Sequence, residues 1–166
     1  GYGIIRIEGK KLTCITLDAV KLDAKKDPFE RLRDIHGVIA ELFKTYQPDQ
    51  MAMEAPFFGK NIQSMLKLGR AQGVAIAACL NHNIPFEEYS PRRIKQSITG
   101  SGSASKEQVA AMLQKLLAFP EMPKYLDATD GLAAAVCHFY NAGKITQGKN
   151  YSGWGAFVKQ NPKKIN

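Results

Sequence analysis

Residues 51–61 read MAMEAPFFGKN, and the organisation of the chain turns on this stretch. A short apolar run from Met51 to Met53 ends in one carboxylate, Glu54, then breaks into Pro56, Phe57, Phe58 and Lys60. Proline cannot donate to a sheet ladder, so a strand here has to stop before Pro56. The pattern is that of a short buried strand over 50–54 with an acid at its carboxyl end. In open α/β sheets, ligands gather at that end of the strands.

Working outward, a helical pattern begins at Pro28 and places Phe29, Leu32, Ile35, Ile39, Leu42 and Phe43 on one face, until Pro48 ends it. Before it, residues 2–8 and the apolar run from Leu12 to Val20 flank Gly9 and Lys10, which predicts an antiparallel hairpin. After the strand, residues 61–81 are again helical in period. Gly69, Ala71, Gly73, Ala75, Ala77 and Ala78 make that helix smooth. IPFEEY (84–89) reads as a strand, and SPRRIKQSI (90–98) as a short helix with Pro91 at its first turn. TGSGSAS (99–105) is expected to be a flexible loop. Ser105 and Gln108 have capping-box spacing, which predicts a helix over 106–117. A last helix is expected from Asp127 through GLAAAVCHFY. This order of elements implies an α/β domain with a mixed sheet flanked by helices.

The chain has 166 residues, enough for one domain with a substantial core. Lys plus Arg number 23 against 15 Asp plus Glu, a net charge of +8 that favours polyanionic partners such as nucleic acid. Residues 142–166 hold five lysines (Lys144, Lys149, Lys159, Lys163, Lys164) and no acid. We read 1–141 as the folded domain and 142–166 as a basic, flexible tail. Tyr151, Trp154 and Phe157 in that tail have the chemistry to stack on single-stranded DNA, although filler without structure would look the same. Cys14, Cys79 and Cys137 match no metal-ligand spacing and suit a reducing compartment. With no signal-peptide pattern and no apolar run near the ~20 residues of a membrane span, a cytoplasmic protein with no membrane partner is expected.

Asp127 and Asp130 lie three residues apart, so on a helix they share a face over the first turn. Taken alone, the pair is also what a helix N-terminus favours through capping and its dipole. If Glu54 converges with them, the three form an oxygen-only cluster in which like charges raise one another's pKa unless a cation neutralises them. Magnesium, or manganese in its place, suits such ligands. Two ions about 4 Å apart would stabilise the attacking water and the leaving oxygen of a phosphodiester. Acid cluster and basic surface together point toward a nuclease.

Four segments carry a family likeness: GYGIIR, EAPFFGKNIQSMLKLGRAQGVAIAA, NIPFEEYSPRRIKQSITGSGSASKEQV and DATDGLAAAVCH. Over residues 1 to about 140 the chain resembles the RuvC Holliday-junction resolvases, which have the ribonuclease-H-like fold. The resemblance implies that Glu54, Asp127 and Asp130 are metal ligands for Mg2+, two ions per subunit. It implies that Phe57 works at the junction centre, whereas Phe58 has no clear counterpart, and a loop phenylalanine could equally fold back on the core. Lys95 and Lys106 match basic residues near the scissile phosphate. Lys106 also begins a predicted helix, where backbone amides attract phosphate. Lys60, Arg70, Arg92 and Arg93 are further candidates for DNA contact, although an isolated arginine is more often a solvated charge. TGSGSASK lacks the P-loop pattern and is expected to face DNA. The family is dimeric through the smooth helix, and a two-fold dimer carries two active sites for paired nicks in a four-way junction. Small residues would serve equally for packing on the chain's own sheet. The resemblance further implies junction cleavage that leaves 5′-phosphate ends, and the RuvA-RuvB branch-migration machinery as partner.

The family's first strand carries a GIDPG-like motif whose aspartate is the central ligand, and residues 1–12 offer no replacement. Gly1 falls inside a strand pattern, as expected of a sequence that starts downstream of that motif. Activity of the chain as it stands is therefore doubtful. Two other readings compete: a junction-binding module without catalysis, and a ribonuclease-H-like nuclease that processes RNA.

Overall fold

A computed structural model describes residues 1–56, 61–119 and 126–145. Phe57, Phe58 and Lys60 lie outside the described residues, as do the aromatics of the tail. Strand β1 (Tyr2–Glu8) pairs antiparallel with β2 (Lys11–Asp18). Glu8 stands opposite Lys11, and Gly9 takes φ +63°, a left-handed conformation that costs glycine least. Helix α1 (Pro28–Tyr46) starts with a full capping box, Asp27 with Glu30, and Pro28 in its first turn. It ends at Gln47, whose N–H donates to the Phe43 carbonyl at 2.9 Å just before Pro48. Strand β3 (Met51–Glu54) runs parallel to β4 (Phe86–Tyr89), with Glu54 level with Tyr89. Between them lies α2 (Ile62–Asn81).

The remaining helices are α3 (Pro91–Thr99), α4 (Lys106–Leu117) and α5 (Asp127–Ile145). Ser90 caps α3, and Ser105 with Gln108 forms the expected capping box of α4. Helix α5 packs on β1, β2, β3 and β4 and on α3 and α4, which makes it the spine of the molecule. Its small, apolar face explains this position. Leu132, Val136 and Cys137 are fully buried, with Ala133 and Ala134 nearly so, and they meet Leu113 of α4 and Ile94 and Ile98 of α3. A second, smaller cluster joins Phe43 of α1 to Ala78 and Cys79 of α2, under Met51 and Phe86.

Parallel and antiparallel pairing are both present, as an α/β fold with a mixed sheet requires. Among the described residues they form two two-stranded ladders, β1-β2 and β3-β4, with α5 packed against both. Three expectations change. Phe29, assigned to the buried face of α1, is 71% exposed, because at the first turn of the helix it extends past the core that holds Phe43. Strand β2 ends at Asp18, whose side chain accepts from the Ala19 N–H at 2.7 Å and turns the chain out of the ladder before Val20. The 99–105 loop is internally braced and not loose. Thr99 Oγ1 donates to the Ser101 carbonyl at 3.0 Å, Ser101 and Ser103 share a hydroxyl contact at 3.0 Å, and Ala104 is buried.

Candidate active site

Glu54 sits at the carboxyl end of β3, and Asp127 and Asp130 occupy the first turn of α5. Lys106, the first residue of α4, links the two aspartates. Its ammonium lies 3.2 Å from Asp127 Oδ1 and 3.0 Å from Asp130 Oδ2. The spacing of three residues puts both carboxylates on one side of the helix, as the sequence implies. The capping box at Ser105 fixes the backbone from which the lysine stem extends.

Burial pushes the Glu54 carboxyl above its usual range, and the negative charge of Asp130 adds to the rise, while Lys106 and Lys95 oppose it. Glu54 as a whole remains exposed, so this is the partial desolvation of a strand end and not of an enclosed acid. The Lys106 ammonium is raised, first by its hydrogen bond to Asp130. The acids thus share one electrostatic neighbourhood. Among the described residues, however, no three acidic, histidine or cysteine side chains lie close enough to hold a metal ion as they stand. Asp127 and Asp130 already grip one cation, and Glu54 is the third hard donor beside Asp130. The donor set therefore suits an oxygen-seeking divalent ion.

The other candidates separate. Lys95 on α3 is half-buried and felt by Glu54. Arg92 lies over Gly102, where an added Cβ would meet its Cγ at 2.5 Å. Arg93 is held by Asn141, whose Oδ1 accepts from its Nη2 at 2.6 Å, and lies 6.0 Å from the centre of the Tyr89 ring. Arg92 and Arg93, with Ser90, Gln96, Ser97, Tyr140 and Asn141, line a groove of about 650 Å3 with no acid among the described residues that line it. Arg70 stands exposed on α2.

Two supports were not foreseen. Gln72 of α2 donates to the Glu54 carbonyl at 2.8 Å, tying down the end of β3. His138 of α5 bridges Tyr89 Oη at 2.8 Å and Gln50 Oε1 at 2.6 Å, and burial lowers its pKa. Both are contacts between distant parts of the chain, and a single glutamine or histidine carries no local signal of them.

An α/β domain with acids at a strand end and at the mouth of its central helix, beside lysines, is the architecture of a ribonuclease-H-like nuclease. Comparison with known proteins makes this specific. A sequence model of the family "Crossover junction endodeoxyribonuclease RuvC" matches residues 1–138, and the chain belongs to that family. It is 59% identical to the protein of that name from Christiangramia forsetii over 99% of this chain and 86% of the other. It is 51% identical to the one from Bacteroides fragilis, over 99% and 89%. Two solved structures of RuvC from Thermus thermophilus superpose on it. One gives a TM-score of 0.78 at 31% identity, covering 87% of this chain and 89% of that one. The other, in complex with a Holliday junction substrate, gives 0.81 at 30%, covering 87% and 88%. Among the described residues no helix is long and apolar enough to cross a membrane.

Proposed function

We propose that this protein is a Mg2+-dependent endonuclease that resolves four-way DNA junctions by paired hydrolysis, leaving 5′-phosphate and 3′-hydroxyl ends. The observation that carries the reading is the pair Asp127 and Asp130, converging on one cation within electrostatic reach of Glu54. These three residues are the proposed metal ligands, with the family's first-strand aspartate as the fourth. Bound divalent ions would lower the pKa of an attacking water and neutralise charge on the phosphodiester. Lys95 and Lys106 would hold the scissile phosphate, and Arg92 and Arg93 with their groove would hold the neighbouring backbone. Phe57 and Lys60, next along the chain from β3, are proposed to engage unpaired bases and phosphates at the junction centre. The domain spans 1–141, and 142–166 adds a basic arm that binds DNA without sequence preference.

The test is nicking of a mobile four-way DNA junction in Mg2+ against linear duplex and structured RNA. The chain should be assayed as it is and behind a first strand bearing the aspartate. Selective cutting of the junction by the longer form is expected. Binding without cutting by both forms would favour a junction-binding module, and preferential RNA cleavage would favour an RNA-processing nuclease.

A homodimer completes the reading. On α2, Ile62 (71% exposed), Leu66 (53%), Gly69, Gly73, Ala77 and Leu80 (60%) form one outward apolar stripe at helical spacing. Among the described residues an added Cβ would meet nothing within 4 Å at Gly69 or Gly73, while Ala75 and Ala78 turn inward. A second copy of the same helix fits so smooth a stripe, and two-fold pairing would set two sites for two strands. Leu66→Glu is expected to convert dimer to monomer at micromolar concentration, as read by sedimentation, while the circular dichroism spectrum stays unchanged. A dimer that survives this change uses another face. The RuvA-RuvB complex is the partner expected at the junction.

A further inference from the structure

We propose that Lys106 competes with divalent cations for the Asp127 and Asp130 pair, its ammonium and a metal ion being alternative occupants of one position. The inference rests on the metal reading above and goes beyond it, since it makes metal loading an exchange and not a simple addition. The two short contacts, 3.2 and 3.0 Å, show both carboxylates already turned to one cation, and these are the same two side chains that would hold a divalent ion. The ion and the ammonium repel each other, so both cannot occupy that point.

The means of exchange is visible. The backbone at Lys106 is anchored by the Ser105 capping box, where the Ser105 hydroxyl accepts from the Gln108 N–H at 3.2 Å. The lysine stem is not anchored: its side chain is 52% exposed, and those of Asp127 and Asp130 are 73% and 41% exposed. Ion pairs this exposed are weak and break without unfolding anything. The displaced ammonium stays tethered beside the carboxylates, within reach of a phosphate approaching the same acids. One side chain would thus screen the acid pair and then, once exchanged, help bind the anionic substrate. Lys95, the other cation felt by Glu54, makes no ion pair with Asp127 or Asp130 and serves as the control.

The experiment is calorimetric titration of Mn2+ into the full chain without DNA, for the unaltered protein and for Lys106→Met, Lys106→Arg and Lys95→Met, with melting curves to establish folding. Lys106→Met is expected to bind Mn2+ roughly fivefold more tightly, equivalent to about 1 kcal/mol. Mn2+ should also raise its melting temperature more than that of the unaltered protein. Lys106→Arg should show no gain, and Lys95→Met less than about twofold. Equal tightening by Lys106→Met and Lys95→Met would mean a general field effect, and unchanged or weaker binding by Lys106→Met would mean no competition; either overturns the exchange. Failure of every form to bind Mn2+, including forms that also carry the first-strand aspartate, would overturn the metal reading itself, and the exchange with it.

Discussion

Glu54→Gln is expected to reduce junction cleavage by a factor on the order of 10² to 10⁴ while leaving the fold no less stable at neutral pH. Glutamine keeps the shape of the side chain and removes the charge that a metal ligand needs. At the same time it removes an acid that the fold holds at a cost. Burial and Asp130 raise the Glu54 carboxyl above 4.5, so its ionised form is disfavoured in the folded state relative to the unfolded chain. Below pH 4.5 the acid is protonated in both states and this cost is absent. As the pH rises through the folded pKa, stability is lost by the glutamate and not by the glutamine. The variant should therefore gain stability at pH 7, by less than about 1 kcal/mol because the residue is exposed, and the gain should vanish at pH 4. Urea midpoints at the two pH values, together with a nicking assay, check both halves. A variant that still cuts, or that is clearly less stable at pH 7, removes Glu54 from the proposed site.

Local rules made much of the fold legible. Capping boxes are read within four residues, so the start of α4 at Lys106 follows from Ser105 and Gln108. Pro48 and Pro56 bound β3 on both sides, and Gly9 places the hairpin turn. Contacts between distant segments were not legible. The pairing of Lys106 with Asp127 and Asp130 spans 21 and 24 residues, and only the packing of α4 on α5 creates it. The sequence marks α2 as smooth but does not separate its two sides. Packing against Phe43 turns Ala78 and Cys79 inward and leaves Gly69 and Gly73 facing out. Phe29 misled because periodicity assigns a face without showing how far along the helix the core extends. The family likeness implied what periodicity could not: that Glu54 and the distant pair Asp127 and Asp130 serve one proposed site.

Leu132→Ala is expected to be the costliest single truncation near the site. Leu132 is fully buried, two residues beyond Asp130 on α5, and its Cα and Cβ would lie 2.7 and 2.8 Å from a Cβ added at Gly3. Helix and strand are therefore in backbone contact at this point, with little freedom to collapse into a cavity. Removing the side chain should cost about 3–5 kcal/mol, a large share of the ~5–15 kcal/mol that holds a domain together. That corresponds to a melting temperature lower by roughly 6–20 °C. Phe29→Ala, at a 71% exposed position on α1, should change stability by no more than about 0.5 kcal/mol. Thermal melting of the two variants checks the contrast, and cleavage at 20 °C separates packing from chemistry. Leu132→Ala keeps every proposed ligand, so below its melting temperature it should cut at a rate near that of the unaltered chain. If it melts normally, the face of α5 that carries Leu132 is not what seats the helix on β1, and the aim of Asp127 and Asp130 has to come from another contact.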